Sequence, residues 1–364
     1  MSEGSQPADA RTGADRPLGI ELTREQRDEE RNFQWFTPAR RKSTMYEDVT
    51  LDTSHSLERH FRWGYQIHFP DGRPTYWDAS EAKSNSWWDF RDPNALWERN
   101  FYQTATNYER ECRNAIAVGK SNGLFDRFSP EWVEFLRHHI HAVAQAEYGL
   151  VMPMANAVRP SRGDCQLNCI SFQGCFKLRH AEALALYGME LETALSDFPA
   201  SRGTQSFMEH PAWQPTRELL ERLDLIHDWV EIVIAANLVF EPLVGVLLRR
   251  ELLMSAASEH GDMVTPVFGR TGQAEWDWGR AWTAAFVKHL VEDEQFGTVN
   301  REVIEGWVET WRPAAEQAVE GLGALFQQLS DGDFGVVRER VRDGFAQLVD
   351  ESGLKIPEME GVAR

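Results

Sequence analysis

The sequence predicts an all-α protein, a helical bundle preceded by an irregular N-terminal arm. Two observations carry this. From Asn94 onward the apolar residues recur at helical spacing, and no convincing strand run appears after Asp92. Within those apolar stretches stand carboxylates and a histidine at spacings that would bring them to one bundle centre.

The elements follow in order. Residues 1–24 are rich in Gly, Ser, Pro and charge and read as disordered. Residues 25–92 carry Phe33, Trp35, Phe36, Tyr46, Phe61, Trp63, Tyr65, Trp77, Trp87 and Trp88 among Pro, Asp and Gly, with little periodicity. So many large aromatics with so few regular signals read as an extended arm anchored on a partner surface; the alternative is an irregular cap on the chain's own core. A helix over 94–118 is expected after Asp92-Pro93, with Pro in its first turn. A second, over 130–158, follows Ser129-Pro130-Glu131, with a disturbance at Pro153. A third covers 164–197. The longest helical region is 213–259, where Pro242 removes a backbone donor and predicts a kink after Glu241. Further helices are expected over 274–293, 301–329 and 335–351, with loops at 201–204 and 330–333. The helical domain thus spans 93–354, with a tail at 355–364, and its architecture is ferritin-like (ribonucleotide-reductase-like) with extra C-terminal helices.

The centre of that bundle is where chemistry would be sought. Carboxylate-bridged dimetal sites take a Glu-x-x-His from each of two helices and a single Glu from each of two more. The i, i+3 spacing places carboxylate and imidazole on one face. Lys177-Leu178-Arg179-His180 keeps the His and puts Lys where the Glu belongs. An ammonium has the wrong charge for a metal cluster and no free lone pair. Roughly thirty residues upstream, one helix plus a turn, stands Glu147 in an apolar run. The second half offers Glu241, and Glu275 in Glu275-Trp276-Asp277-Trp278, where Trp278 holds the His slot. An indole cannot ligate and would fill the space instead. Glu147, Lys177, His180, Glu241, Glu275 and Trp278 are therefore read as a degenerate ligand set, with no catalytic, cofactor-binding or metal-holding residue. Lys177 is expected to pair with Glu147 or Glu241 in place of metal charge.

Three segments carry a resemblance to a known family. They are Arg40-Arg41-Lys42-Ser43-Thr44-Met45-Tyr46-Glu47-Asp48-Val49-Thr50, the stretch Asp92-Pro93-Asn94-Ala95-Leu96-Trp97-Glu98-Arg99, and Phe172-Gln173 with Leu178-Arg179-His180-Ala181. On these the chain resembles the beta (small) subunit of the hydroxylase component of bacterial soluble di-iron multicomponent monooxygenases, closest to the propane/alkene branch. The resemblance implies a non-catalytic subunit whose paralogous alpha subunit, an obligate partner, holds the di-iron centre. It implies an α2β2 assembly with or without a third small subunit, a coupling (effector) protein, and a separate reductase with NADH, FAD and an iron-sulfur cluster. The implied reaction inserts one oxygen atom from O2 into a small hydrocarbon, propane or propene. Two other classes of function stay open: an active dimetal-carboxylate oxygenase with altered ligands, and a ferritin-like interaction protein without an enzyme partner.

Composition narrows the remainder. The net charge is −19, from 38 basic and 57 acidic residues, which argues against nucleic-acid binding and against anionic membranes. No apolar run looks long enough to cross a bilayer, and the first fifteen residues lack the apolar core of a secretion signal. Four cysteines in 364 residues make no disulfide framework. Cys165-x-x-x-Cys169 reads as reduced thiols near a helix start rather than a metal clip. All of this fits the bacterial cytoplasm or any other reducing compartment. His138 and His141 share a helix face, yet no matching carboxylate completes a site, so the 138–141 histidines read as solvent or interface groups. No phosphate loop, dinucleotide fingerprint or ferredoxin-type Cys cluster is present, so electrons for any redox chemistry would come from another protein.

Overall fold

The computed structural model describes residues 43–51, 80–199, 201–330 and 332–355. Among them no strand occurs, and ten helices carry the fold. They are α1 Glu98–Ser121, α2 Pro130–Tyr148, α3 Val151–Val158, α4 Asp164–Ala194, α5 Ser201–Glu209, α6 Gln214–Leu223, α7 Trp229–Glu259, α8 Thr265–Val291, α9 Gly297–Leu329 and α10 Phe334–Glu351. The centre is built by α2 packed on α4 and α7 packed on α8, with α4 against α8 joining the two pairs. This is the four-helix layout of dimetal bundles. Helices α9 and α10 cover the outer side of α7.

Several helix starts are set by side chains that satisfy orphan backbone donors. Ser129 accepts from Trp132 N ahead of Pro130, which occupies the first position of α2. Asp228 accepts from Val230 N and Glu231 N to start α7. Asp262 accepts from Val264 N and Thr265 N to start α8 and also receives the Trp132 indole N–H at 2.7 Å, tying α8 to α2.

Some expected boundaries move, each for a local reason. The first helix begins at Glu98, not 94, because the Asp92 carboxylate takes the N–H groups of Asn94 and Leu96 and holds a turn there, with Ala95 at φ 49°. The second helix breaks at Gly149-Leu150, not at Pro153. A side chain at Gly149 would lie 2.8 Å from Leu220 of α6, and Pro153 falls in the first turn of α3, where its missing donor costs little. The region 213–259 is two helices, divided before the Asp228 cap. The loop expected at 201–204 is the first turn of α5. Gly203 serves close packing there, since a Cβ would sit 2.6 Å from that of His141. α8 starts nine residues before 274, with Pro266 in its first turn, and its glycines mark close approaches rather than breaks.

α7 is the apolar heart of the molecule. It is long enough to cross a membrane and contains an 18-residue stretch of mean hydropathy 2.0, contrary to the expectation that no such run exists. Yet 89% of that stretch is buried inside the bundle, which is what a helix apolar on all sides does in a large core. Its winding is π-helical over Ile234–Gly245 and Leu247–Ala256, so the altered geometry begins ahead of Pro242 and is not confined to a kink after Glu241.

The aromatic arm is described only in part. Tyr46 is buried against the first turn of α4, where its hydroxyl meets Cys165 Sγ at 2.8 Å and accepts from Asp92 N. Trp87 packs on Trp229 and Phe286, and Phe90 on Phe286. For Tyr46 and Trp87 the expectation of a partner surface fails: their rings complete this chain's own core. Trp88 is about one-third exposed. Phe33, Trp35, Phe36, Phe61, Trp63, Tyr65 and Trp77 lie outside the described residues.

Candidate functional site

Four charged side chains meet at the bundle centre and close a ring. Glu147 comes from the last turn of α2, Lys177 from the middle of α4, and Glu241 and Arg249 from α7. None of the four is more than 4% exposed at its side chain. Lys177 Nζ donates to Glu147 Oε2 at 2.8 Å and rests against Glu241 Oε1. Arg249 Nη1 donates to Glu147 Oε1 at 2.7 Å, and Nη2 to Glu241 Oε2 at 2.5 Å. Signs alternate around the ring, and every carboxylate oxygen faces a cation. Burial alone would raise the pKa of Glu147, but Lys177, then Arg249 and His180, hold it well below the usual carboxylate range. Burial works against the Arg249 charge as well, and Glu241 and Glu147 more than offset it.

The local geometry explains how α7 supplies two members. Glu241 and Arg249 are eight residues apart. An α-helix returns to the same face after about seven residues, and the wider π winding postpones that return. Between them, Gly245 is required: a Cβ there would lie 2.3 Å from Glu241 Oε2 and 2.7 Å from Arg249 Nη2.

His180 lies beside the ring, its Nδ1 3.3 Å from Glu147 Oε1 and its Nε2 3.1 Å from the Phe268 carbonyl. The carbonyl can only accept, so Nε2 carries a proton. Room for the imidazole comes from α8, where a Cβ on Gly272 would sit 2.3 Å from His180 Cε1.

Four of the six expected residues, Glu147, Lys177, His180 and Glu241, thus converge. Two do not. Glu275 is buried on the flank, paired with Arg179, whose guanidinium lies over the Tyr108 ring at 5.8 Å. Burial raises the Glu275 pKa, and Arg179 opposes that without cancelling it. Trp278 does not fill the centre. It is only half-buried, packs edge-on against Phe176, and donates its indole N–H to Asp92 Oδ2 at 3.0 Å. An indole N–H seeks an acceptor, and Asp92 offers one at the bundle's edge. Arg249 was missed by sequence reasoning. The available signal was a guanidinium in Leu247-Leu248-Arg249, inside the helix that, among the described residues, carries an apolar stretch long enough to cross a membrane.

A ferritin-like dimetal bundle implies two metal ions here, and these donors do not fit them. The space between the carboxylates holds an ammonium and a guanidinium, neither with a free lone pair. Among the described residues, no three His, Cys, Asp or Glu stand together as a metal-binding group.

The other candidates resolve into packing. His138 is partly exposed beside Glu134 at 3.0 Å. His139 and His141 are buried, which corrects their reading as solvent or interface groups. His139 Nδ1 accepts from the Trp213 indole at 3.1 Å, and burial lowers its pKa to about 3. The His141 ring packs against Gly188, and its Cβ and backbone against Gly203. Cys165 and Cys169 are buried free thiols at the start of α4.

Residues 63–294 match the Methane/Phenol/Alkene Hydroxylase family. A propane 2-monooxygenase hydroxylase component small subunit from Rhodococcus jostii (strain RHA1) is 32% identical over 333 residues, 90% of this chain and 90% of that protein. A methane monooxygenase component A beta chain from Methylosinus trichosporium is 24% identical over 291 residues, covering 78% of this chain and 74% of that one. The crystal structure of xenon-pressurised phenol hydroxylase from Pseudomonas sp. OX1 shares the fold, with a TM-score of 0.76 over 96% of this chain and 99% of that chain, at 15% identity.

Proposed function

The chain belongs to the methane/phenol/alkene hydroxylase family, and on that premise we propose that it is the non-catalytic small subunit of a monooxygenase hydroxylase component. The observation that carries this is the closed ring of Glu147, Lys177, Glu241 and Arg249, which spends the bundle's central carboxylates on internal cations. The degenerate set Glu147, Lys177, His180, Glu241, Glu275 and Trp278 then holds structure and no metal. The di-iron centre belongs to a larger, paralogous alpha subunit, an obligate partner in an α2β2 assembly. That centre supplies the activation of O2, with one oxygen atom passing to a small hydrocarbon such as propane or propene. Electrons come from NADH through a separate reductase with FAD and an iron-sulfur cluster, and an effector protein couples the two. The complex works in the cytoplasm. This chain's part is to stabilise the alpha subunit and hold its helices in register, because small misplacements at a catalytic centre are costly in rate. Residues 25–92 serve that assembly apart from Tyr46, Trp87 and Phe90, whose rings pack in this chain's own core, and 93–354 form the helical domain.

The test is co-purification from the native host with metal analysis of each chain. A larger paralogous subunit should accompany this chain and carry the iron. Near-stoichiometric iron in this chain would instead make it an active oxygenase with altered ligands. Recovery without any larger subunit would make it an interaction protein. A chain lacking residues 1–60 should keep its helical content and fail to assemble. Turnover per assembled complex should survive His180→Ala; a large loss with the partner's iron intact would place chemistry in this chain.

A further inference from the structure

Aromatic rings run in near contact along one face of α8 and beyond it. Trp278, Trp282 and Phe286 recur every fourth residue, with ring centroids 6.2 and 6.3 Å apart. Trp229 follows at 5.6 Å from Phe286. Indoles, phenols and thiols are the side chains that give up an electron most readily, and spacings this short let an electron vacancy move along the array. The two indoles of α8 differ in what their N–H groups meet. Trp282 donates to an amide oxygen, Gln173 Oε1 at 2.9 Å, and Trp278 to a carboxylate, Asp92 Oδ2 at 3.0 Å. An oxidised indole is a strong acid, and a carboxylate takes up its proton far more readily than an amide oxygen does. A vacancy in the array therefore settles at Trp278, which is only half-buried and also meets an oxidant from solution directly. Hydrogen bonds continue from there to sulfur. The Asp92 N–H donates to Tyr46 Oη at 3.0 Å, and Tyr46 Oη lies 2.8 Å from Cys165 Sγ. Burial, then Cys165, raises the Tyr46 pKa, so the phenol keeps its proton and donates it to the sulfur. A hydrogen bond from Cys169 lowers the Cys165 pKa against the effect of burial, and Tyr46 adds to it. Trp132 also donates to a carboxylate, Asp262, but the bonds onward from there lead to Thr265 and Tyr187 and, among the described residues, to no thiol.

We propose that Trp278, Asp92, Tyr46 and Cys165 form an electron-donating relay, in which Cys165 is the final, sacrificial donor to strong one-electron oxidants that reach the indoles. The oxidant takes one electron from the Trp278 indole, and the indole N–H proton passes to Asp92. Tyr46 refills the indole with one electron as that proton returns, and its own hydroxyl proton passes to the Cys165 thiolate. The phenoxyl radical then takes a hydrogen atom back from that sulfur. Every proton is again in place, one electron has gone to the oxidant, and a thiolate has become a sulfur radical. A buried structural thiol is ordinarily inert. Cys165 is buried and reacts here only through the three groups that connect it to Trp278. The relay concerns this chain alone; only the natural source of its oxidant, oxygen chemistry in a partner subunit, rests on the small-subunit reading.

The experiment uses the full-length chain, with flash-generated ruthenium(III) tris(bipyridine) as the one-electron oxidant and oxygen excluded. Transient absorption and freeze-quench electron paramagnetic resonance follow the indole, phenol and sulfur radicals. In wild type, indolyl radicals should give way to a phenoxyl radical and then to a sulfur-centred one. Cys165→Ser keeps a hydroxyl against Tyr46, and its phenoxyl radical should live several-fold longer. Tyr46→Phe and Trp278→Phe interrupt the relay, and each should abolish the Cys165 radical. Trp132→Phe should leave that radical's yield unchanged. A purely structural role would leave these lifetimes where they are. Phenoxyl decay unchanged by Cys165→Ser in a folded chain overturns the proposal, as does a Cys165 radical that survives Trp278→Phe. Should Tyr46→Phe fail to fold, those two variants decide. The test supplies its own oxidant and does not read partner association, so either idea can fail while the other stands.

Discussion

In the first half of the bundle, α2 and α4, every candidate side chain reaches the centre. In the second half, α7 and α8, only Glu241 does. The halves present similar patterns in sequence, a lone Glu followed one helix later by a spaced pair. They differ in winding. α2 and α4 are regular α-helices, so Glu147, Lys177 and His180 project where a 3.6-residue period puts them. α7 is π-wound across Glu241, and it supplies the second cation itself, from Arg249. That leaves α8 to offer Gly272 to the centre, while Glu275 and Trp278 turn to the flank and pair with Arg179 and Asp92. A spacing rule is thus only as good as the helix geometry beneath it.

The largest expected effect contrasts the ring with the flank pair. Arg249→Met or Lys177→Met should cost about 3–5 kcal/mol, because each strands two buried carboxylates that share one cation. Arg179→Met should cost less, about 1–3 kcal/mol, because Glu275 already has a raised pKa and can take up a proton. Equal losses in urea unfolding at neutral pH would erase the distinction drawn between the two regions.

The pH dependence should have opposite signs. Glu147 has a folded pKa below its unfolded one, so its contribution is complete above the ordinary carboxylate range and is lost as pH falls through the folded value. Glu275 has a folded pKa above its unfolded one, so its contribution is complete below the ordinary range and is lost as pH rises through the folded value. Glu147→Gln should flatten the acid limb of the stability curve, and Glu275→Gln should remove a loss that sets in above pH about 4.5. The same direction of change in both variants would contradict the two environments.

A finer test asks whether the second half merely makes room. Gly272→Ala should cost about 1–3 kcal/mol by pressing on His180. Gly306→Ala on α9, where a Cβ meets nothing within 4 Å, should gain up to about 1 kcal/mol. A neutral Gly272→Ala would mean that His180 is free to move. The smallest effect is expected at Trp278. Trp278→Phe should cost about 1 kcal/mol, one hydrogen bond to Asp92, since that carboxylate keeps two backbone donors. A loss on the scale of the ring variants would return Trp278 to the core.

Much of this was legible in the chain. Helical periodicity after Asn94 fixed the all-α class, because an apolar stripe at that spacing can be buried only by helix packing. The Lys at 177 marked a ligand position taken by an ammonium, which cannot ligate whatever surrounds it. A pairing of Lys177 with Glu147 or Glu241 also followed, since a buried charge needs an opposite one, and in the structure Lys177 meets both. What the tertiary structure decided was everything that depends on the path of α7. The period of a helix is assumed when a sequence is read and is known only when the backbone is seen. Arg249 joined the ring, and Glu275 and Trp278 lie outside it, alongside a π winding over Ile234–Gly245 and Leu247–Ala256 of which Pro242 announced only a kink. The glycines at 203, 245 and 272 divide in the same way: in sequence each weakens a helix, and only the neighbouring His141, Arg249 and His180 show that the absent side chain is the reason for its presence.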